Sequence, residues 1–511
     1  MNKPSSQADR SPLYEQLAAT DKRGYARFHV PGHKARATSG GGAEALAQED
    51  AYLRDLLKID MTEIPGLDDL HHPEGAIREA QGLAAECFGA EETFFLVGGS
   101  TAGNLAMILT VCGRGDLLLM QRNVHKSAIH ACMLAGCRVV FLPPGWDADS
   151  GLAAGVAPEA VSAAIQRYPE AKAVFLTNPN YFGMGGDLAA LARAAHEGGI
   201  PLLVDEAHGA HYGFHRGVPA SAMQSGADAA VQSTHKMLTS LTMGAMLHVQ
   251  GPRLDRDLLR QRLAMVQSSS PSYPIMASLD LSRRLMQTRG PALLEDALHR
   301  VTQFRERLAA DTGGAYKLLG PAPTPAYETL DPFKLAVRAA DGSALSGFQL
   351  LDELERHGCV AEMADAQHVL LACSLLTSEE DLARALQAFR SIAEARQLHD
   401  VDDRPSSPIP LLAETLAFSS AEPVTFDLQS SASREAATAV PLEQAVGRVS
   451  AEMVTPYPPG IPLLYPGESI SQQTVQTLQQ LAALGARFQG AADPRLHTML
   501  TRKKQEKHPF A

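Results

Sequence analysis

Short apolar runs alternate with segments of helical spacing through the middle of this sequence. The run TFFLVGG at 93–99 ends in glycine, and the flanking segments IREAQGLAAECFG and STAGNLAMILTVC repeat apolar residues every three to four positions. This order predicts a helix, a strand, a tight turn and a second helix. Further apolar runs follow, among them DLLLM, CRVVFLPP, AKAVFLTNP, IPLLVDEAH, DAAVQS and GAMLHVQ.

Strands that are apolar on both faces and alternate with helices are typical of a mostly parallel sheet covered on both sides. We therefore predict an α/β fold, with smaller α/β lobes toward the C terminus. In such sheets, ligands bind beyond the carboxyl ends of the strands. Polar residues at those ends are the candidate functional residues.

The same patterning divides the chain into five predicted regions. Residues 1–75 are irregular and rich in Gly, Pro and His, which predicts an arm too polar to form a core alone. Residues 76–290 are predicted to form a large domain, and 291–398 a smaller α/β domain. The acidic, then Pro- and Ser-rich stretch 399–410 predicts a linker, and 411–511 a last domain.

Composition narrows the classes of function. The 511 residues are 45% hydrophobic and 20% charged, which is ordinary for a globular protein. No run reaches the roughly 18 uninterrupted apolar residues of a membrane helix, and the N terminus lacks the apolar core of a signal peptide. We therefore expect a cytoplasmic protein with no membrane partner. The formal charge of −12 argues against nucleic acid, and six cysteines without a CxxC pair indicate reduced thiols.

Two strand ends offer a phosphate site and a carboxylate. In GGSTAGN, two glycines permit a turn, and Ser100 and Thr101 open a helix whose free N–H groups suit a phosphate. A Ser/Thr cap is also common at any helix start, so this signal alone is weak. In LLVDEAH, Asp205 closes an apolar strand. A buried carboxylate needs a partner, although a turn residue is the alternative.

A third strand end, QSTHK, offers an amine. Lys236 precedes an almost chargeless run, so we expect a poorly hydrated ammonium with a lowered pKa, as an amine nucleophile requires. A snorkelling surface lysine is the alternative. Ser233 and His235 would add hydrogen-bond donors for an anion. A phosphate site, a carboxylate and an amine at neighbouring strand ends are what pyridoxal 5'-phosphate (PLP) requires.

At these motifs the chain resembles the bacterial ornithine/lysine/arginine decarboxylases. The likeness runs in order through FHVPGHK, GLDDLHHPEG, GGSTAGN, RNVHKS, TNPNYFG, DEAHGAH, QSTHKMLTSLT, SSSPSYPIMASLD and PYPPGIPLLYPGE. It implies PLP-dependent fold type I, a homodimer or higher homo-oligomer, and decarboxylation of a basic amino acid. No receiver-like domain precedes the motifs, so the chain resembles the shorter subgroup, which slightly favours arginine over lysine and ornithine.

The resemblance also implies roles for individual residues. Lys236 would form the Schiff base with PLP, Asp205 would pair with the pyridine nitrogen, and His125 in RNVHKS would stack on the cofactor ring. The residues expected to hold the phosphate are Ser100, Thr101, Ser233 and His235. His208 is expected beside the cofactor, and His235 or Lys236 would return a proton to the product.

Two further expectations concern the substrate and a departure from the family pattern. The distal cation of the substrate needs a carboxylate, although each candidate is by itself more often a turn or surface residue. The candidates are Glu63, Asp68, Asp69, Glu362, Asp365 and Glu452. Met243 stands where the family usually has Gln, so a hydrogen bond near the cofactor or the partner subunit is expected to differ.

Three other functions fit parts of the pattern. His208, His211 and His215 are spaced as metal ligands could be, but metal binding needs convergent side chains and a second shell, so we predict no metal. Fold type I also supports transamination and β-elimination, against which the full set of decarboxylase motifs argues. A non-catalytic regulatory relative is the third alternative, and the intact Lys236 and Asp205 argue against it.

Overall fold

The computed structural model describes residues 7–24, 55–341, 345–396, 422–426, 437–457, 461–483 and 485–502, with a few isolated positions between them. The chain divides into two compact units, one of Met1–Thr110 with Leu203–Leu294 and one of Val111–Leu202 with Glu295–Ala511. The predicted linker at 399–410 and much of the predicted arm lie outside the described residues. Within the ranges that are described, no helix has the length and apolar character needed to cross a membrane.

The strands and helices are numbered in chain order. The strands are β1 (Glu92–Leu96), β2 (Leu117–Gln121), β3 (Arg138–Leu142), β4 (Trp146–Asp147), β5 (Leu152–Ala153), β6 (Ala171–Thr177), β7 (Met184–Gly185), β8 (Leu202–Asp205), β9 (Ala229–Gln232), β10 (Ala245–Val249), β11 (Tyr316–Leu318), β12 (Thr329–Leu330), β13 (Lys334–Ala339), β14 (Met363–Ala364), β15 (His368–Ala372), β16 (Val424–Thr425), β17 (Thr438–Pro441), β18 (Val449–Ser450), β19 (Thr455–Tyr457), β20 (Arg487–Gln489) and β21 (Thr498–Arg502). The helices are α1 (Pro12–Lys22), α2 (Leu56–Ile59), α3 (Ala76–Phe88), α4 (Gly99–Val111), α5 (Lys126–Ala135), α6 (Pro158–Arg167), α7 (Leu188–Glu197), α8 (Thr234–Met237), α9 (Arg256–Val266), α10 (Tyr273–Asp311), α11 (Gly347–Arg356), α12 (Glu379–Arg396) and α13 (Gln472–Ala483), with 3-10 turns at Gln7–Asp9 and Leu442–Ala445.

In the first unit, four strands lie side by side in the order β1, β10, β9, β8. Strand β10 is antiparallel to both neighbours, whereas β8 and β9 are parallel. Helix α4 packs closely on these strands at Gly103, where an added Cβ would lie 2.5 Å from Cγ2 of Val231 and 2.9 Å from Cδ1 of Leu96. The predicted order of α3, β1, a glycine turn and α4 is confirmed.

In the second unit, four strands lie in the order β6, β2, β3, β16. Strand β2 is parallel to β3 and β6, and β16 is antiparallel to β3. All five residues of β2 are buried, as its continuous apolar sequence predicts. The α/β class is therefore confirmed. The strand pairing is mixed rather than mostly parallel, because β8 with β9 and β2 with β3 and β6 are parallel, whereas the pairs that involve β10 or β16 are antiparallel.

The second unit also contains the two smaller lobes. Strands β11, β13, β15 and β14 form an antiparallel sheet, accompanied by α11, whose start carries a reciprocal cap between Ser346 and Gln349. Strands β17, β21 and β18 and helix α13 belong to a last lobe with its own apolar core, which includes Val454, Leu478 and Phe488. The last lobe thus has its own hydrophobic cluster, whereas the cluster that contains Ala336 and Leu370 of the antiparallel sheet also includes Phe182 and Met184.

Helix α10 departs from the sequence prediction. The sequence analysis places the start of the smaller α/β domain at residue 291, a proline of the kind that favours the first turn of a helix. The structure continues one helix through Pro291 from Tyr273 to Asp311. Proline inside a helix costs one backbone hydrogen bond, which a helix of this length tolerates. The predicted domain boundary at 290 therefore falls within a continuous helix.

Candidate active site

A candidate phosphate cradle lies where β1 turns into α4. Gly99 has a left-handed backbone, with φ of +71°, and its N–H donates to the carbonyl of Met243 at 3.0 Å. The hydroxyls of Ser100 and Ser233 are 2.7 Å apart, and both residues are buried. Two hydroxyls that share one hydrogen bond keep one O–H to donate to a third group. With the N terminus of α4, this donor set suits a phosphate.

The predicted carboxylate is buried at the end of β8. Asp205 is 3% exposed. Its Oδ2 accepts a hydrogen bond from Nδ2 of Asn104 at 2.8 Å, and its Oδ1 accepts one from the N–H of Ala207 at 3.1 Å. Both donors are neutral, so the negative charge suits a cationic partner such as a protonated pyridine nitrogen. Our sequence analysis missed Asn104, although its position one helical turn after Ser100 places both on one face of α4.

Lys236 lies in the short helix α8. Its Nζ is 3.1 Å from Nε2 of the buried His208. The expectation of a poorly hydrated ammonium is wrong for this chain, because Lys236 is exposed. The apolar neighbours Met237 and Leu238 are buried. The chargeless run after Lys236 therefore reflects the burial of these neighbours and not that of the lysine. The contact with His208, rather than burial, defines the setting of this amine.

His235 is held as a neutral ring. Its Nδ1 donates to the carbonyl oxygen of Gly244 at 3.0 Å. Burial lowers the pKa of His235, the Gly244 hydrogen bond raises it, and the charge of Lys236 lowers it, with a net lowering. A neutral ring with its proton on Nδ1 has a lone pair at Nε2. This arrangement suits transfer of a proton better than donation to a phosphate.

Met243 contributes through its backbone. It has a φ of +74°, which is strained for a residue with a side chain, and its carbonyl accepts the Gly99 hydrogen bond. Its side chain is 49% exposed. The substitution relative to the family pattern therefore changes an exposed side chain, while the backbone of Met243 supports the start of α4.

A buried hydrogen-bonded chain next to Asp205 was not foreseen. Both oxygens of Glu206 accept hydrogen bonds, from the N–H of Ala222 at 2.8 Å and from Nε2 of Gln232 at 2.7 Å. Oε1 of Gln232 is 3.1 Å from Nε2 of His248, whose Nδ1 is 2.8 Å from the hydroxyl of Thr93. Burial raises the pKa of Glu206 to about 8 and lowers that of His248 to about 3. Both groups are therefore neutral over a broad range of pH.

His125 lies in the second unit, just after the buried strand β2. It caps α5, with Nδ1 accepting the N–H of Ser127 at 3.2 Å. This bond leaves the proton of a neutral ring on Nε2. The residues from Gln121 to Val124 are buried, whereas His125 is exposed. An exposed ring at the carboxyl end of a parallel strand is in a position where it could contact a ligand.

Asp68 is used by the protein backbone. Its two carboxylate oxygens accept backbone N–H groups that include Glu74 at 2.9 Å, Gly75 at 2.8 Å and Ile77 at 2.9 Å. These bonds close the loop before α3 and satisfy the free N–H groups at its start. The structure therefore makes Asp68 a helix cap rather than a substrate ligand.

Asp365 and Glu452 have similar structural roles. Asp365 accepts two backbone N–H groups of its own turn, at 2.8 and 2.6 Å, and contacts the ring of His368. Glu452 is 6% exposed, and its two oxygens accept the N–H groups of Ala492 and Leu500 at 2.7 and 2.9 Å. Because backbone N–H groups already bond to these carboxylates, Asp365 and Glu452 are poor ligands for a substrate cation.

Two of the predicted substrate carboxylates, Glu63 and Glu362, are exposed, whereas Asp69 is half-buried and its Oδ1 accepts the N–H of His71 at 2.7 Å. Glu63 is exposed, and partial burial and the charge of Asp69 raise its pKa, while His71 lowers it. In the second unit, the hydroxyl of Tyr181 donates to Oε1 of Glu362 at 3.1 Å. Glu362 is exposed, so its second oxygen is open to a ligand.

The histidines of DEAHGAHYGFH have other contacts. His208 contacts Lys236, and Nδ1 of His215 accepts the N–H of Gly217 at 3.0 Å. Within the part of the chain that the structure describes, no group of three or more His, Cys, Asp or Glu residues is arranged to hold a metal ion. Nothing here favours the metal alternative.

Comparisons with known proteins identify the protein family to which the chain belongs. The family model described as "Orn/Lys/Arg decarboxylase, major domain" matches residues 11–322, and its C-terminal domain model matches residues 420–506. The chain is 40% identical to "Uncharacterized protein YaaO" of Bacillus subtilis (strain 168), over 97% of this chain and 99% of the relative. It is 35% identical to arginine decarboxylase of the same organism, over 97% of this chain and 98% of the relative.

A solved structure supports the fold. Lysine decarboxylase A from Pseudomonas aeruginosa matches with a TM-score of 0.80 at 21% identity, over 97% of this chain and 81% of that one. The fold and the strand-end site define a fold type I enzyme, as predicted. The chain belongs to the Orn/Lys/Arg decarboxylase family, a family of carboxy-lyases, and the resemblance inferred from its motifs is confirmed.

Proposed function

We propose that this protein is a PLP-dependent decarboxylase of a basic L-amino acid, with arginine slightly favoured over lysine and ornithine. The observation that carries the proposal is the contact between Nζ of Lys236 and the buried His208, in the unit that also contains the buried Asp205. Membership in the family supports the reaction, and the arginine decarboxylase of Bacillus subtilis supports the preference.

The residues present fit PLP. Ser100, Thr101 and Ser233, with the N terminus of α4, would hold the phosphate, and Asp205 would face the pyridine nitrogen. Lys236 would hold the aldehyde carbon through a Schiff base. When bound, PLP supplies an electron sink for the pair that the departing carboxylate leaves.

The chain's own residues would then bind and move protons. Asp205 would hold a proton on the pyridine nitrogen, and Asn104 fixes the Asp205 carboxylate in place through its 2.8 Å hydrogen bond. When His208 carries its proton on Nδ1, its Nε2 accepts a hydrogen bond from the Lys236 ammonium and can take that proton. The exposed ring of His125 would cover one face of the cofactor and exclude water, which favours loss of carbon dioxide. Lys236 Nζ, or His235 Nε2 once its lone pair has taken up a proton, would return a proton to the product carbon.

Glu362 is the best supported ligand for the distal cation of the substrate. The hydroxyl of Tyr181 orients one carboxylate oxygen, which leaves the other to bind an ammonium or guanidinium group. The exposed Glu63 and the half-buried Asp69 form a second acidic pair. They lie in the predicted arm, which would act on the partner subunit's substrate.

We further propose a cytoplasmic homodimer, or a higher homo-oligomer, that acts in polyamine biosynthesis without a nucleic-acid or membrane partner. Leu241 and Met243, which follow Lys236 closely, are 43% and 49% exposed. Exposed apolar side chains beside the cofactor cradle support a subunit interface there.

A single assay tests the reaction. The purified protein is supplied with PLP and given arginine, lysine and ornithine separately, and the amine and carbon dioxide are measured. We expect Lys236→Ala to abolish turnover and to lose the cofactor absorbance band, since the variant lacks the amine that would bond to the aldehyde. Lys172→Ala removes an exposed lysine on β6 and is the matched control.

The outcomes separate the alternatives. A keto acid product in place of carbon dioxide would indicate transamination. An unchanged spectrum on adding PLP would revive the non-catalytic alternative. Appreciable turnover by Lys236→Ala would contradict the role of the lysine.

A further inference from the structure

The segment that carries His125 begins at a buried arginine. The Arg122 side chain is 1% exposed, and its guanidinium donates to the carbonyl oxygens of Pro462 and Leu463 at 3.0 and 2.8 Å. It also donates to both carboxylate oxygens of Glu468, at 3.1 and 3.2 Å. Residues 462–468 therefore supply the acceptors for a cation from the end of β2, within the second unit.

Aromatic rings enclose the same arginine. The guanidinium carbon lies 4.2 Å from the ring centre of Tyr465 and 5.1 Å from that of Phe141. The hydroxyl of Tyr465 donates to the backbone carbonyl of Arg122 at 3.1 Å. The C-terminal domain thus holds both the side chain and the backbone of Arg122.

The other end of this segment is also attached to the C-terminal domain. Nζ of Lys126 donates to Oε1 of Gln489 on β20 at 3.0 Å. His125 precedes Lys126, and it lies between two residues that contact the same domain. A shift of that domain would move the ring of His125, because three peptide units separate it from Arg122 and one from Lys126.

We propose that the C-terminal domain sets the position of His125 by holding both ends of segment 122–126, so that Arg122, Tyr465 and Glu468 are positioning residues for the cofactor ring. The inference rests on the proposed stacking role of His125. If residue 122 only filled space in the interior, an apolar side chain of similar size would serve that purpose. Moving a charged guanidinium out of water is expensive. Its hydrogen bonds to several fixed acceptors give it a geometric role, which is to hold the segment in one position.

Two variants and a control test the inference. Arg122→Met keeps the side-chain length and removes the guanidinium. Tyr465→Phe keeps the ring and removes the bond to the Arg122 carbonyl. Arg193→Met removes an exposed arginine on α7 and controls for the loss of a charge.

The first measurement needs no cofactor. Hydrogen exchange of the backbone amides in 122–127 is followed in the full-length protein without PLP, with α7 as internal reference. We expect Arg122→Met to speed exchange in this segment by about tenfold or more, and Tyr465→Phe to do so by less. The control should leave it unchanged.

The second measurement uses the protein loaded with PLP. We expect Arg122→Met to alter the circular-dichroism band of the bound cofactor and to lower kcat by about tenfold or more, because a displaced ring no longer fits the reacting group. The KM for the substrate should change by less than about twofold, since the carboxylates that bind the distal cation are elsewhere.

The outcomes are separable from those of the proposed function. If exchange in 122–127 is unchanged, or if it rises while the cofactor band and kcat match those of Arg193→Met, the positioning role is wrong. If Arg122→Met does not fold, Tyr465→Phe decides the question by the same measurements. If the wild-type protein binds no PLP or releases no carbon dioxide, the proposed function fails, whereas the exchange result still tests the attachment of the segment.

Discussion

Glu206 offers a test of the buried chain next to Asp205. The carboxyl group has no exposed surface, and its two oxygens accept hydrogen bonds from the N–H of Ala222 and from Gln232. We consider Glu206→Gln, which removes the ionisable group and keeps the shape. The hydrogen bonds around this position can adapt to the new amide, because the amide of Gln232 can flip and the neutral ring of His248 can change tautomer.

The sign of the pH dependence follows from the raised pKa. Burial raises the pKa of Glu206 from 4.5 to about 8. Between these values the folded protein keeps a proton that the unfolded chain has released, so the free energy of unfolding falls as the pH rises through this window. Each proton contributes about 1.4 kcal/mol per pH unit, so the whole effect is on the order of a few kcal/mol.

Glu206→Gln lacks this proton and should therefore gain stability relative to the wild type as the pH rises. Urea unfolding of both proteins without cofactor, at several pH values across the window, measures the difference. Glu197→Gln removes an exposed glutamate on α7 and should show a difference that does not depend on pH. A difference for Glu206→Gln that is equally flat, or that shrinks as the pH rises, would refute a buried neutral carboxyl at this position.

Two further predictions concern the site. Asn104→Ala removes the 2.8 Å hydrogen bond to the buried Asp205 and should lower the free energy of unfolding by about 2 kcal/mol, measured by urea unfolding, and weaken PLP binding, measured by absorbance titration. An unchanged PLP affinity would contradict the role given to Asn104. Glu362→Gln should raise the KM for the basic amino acid by about tenfold with little change in kcat, because a charge-assisted contact to the distal cation is lost. In steady-state assays Tyr181→Phe should have a smaller effect in the same direction, and an unaltered KM in both variants would exclude Glu362 as the ligand.

Local patterns predicted the elements that position the site. The apolar run at β1, the two glycines and the Ser–Thr pair predicted the turn into α4, because backbone freedom and helix capping depend on neighbouring residues. Alternating strands and helices predicted the α/β class in the same way. The family motifs carried the assignment of Lys236, Asp205 and His125.

The exposure of Lys236 shows where local pattern fails. Its apolar neighbours are buried, yet Lys236 is exposed and its amine contacts His208, because the surroundings of a side chain in a four-residue helix depend on how that helix packs. The same limit applies to Asp68, Asp365 and Glu452. Their sequence positions suit a substrate ligand, but each accepts backbone N–H groups that only the folded chain brings to it, from a turn for Asp365 and from Ala492 and the β21 residue Leu500 for Glu452.

Sequence alone thus determined the class, the order of the elements and the residues at the strand ends, since these depend on short-range propensity and on motifs. Tertiary structure decided the partners: Asn104 with Asp205, Glu206 with Gln232, and Arg122 with Glu468, which is 346 positions away along the chain. Contacts over such separations depend on how strands and lobes pack. Local sequence carries little information about that packing.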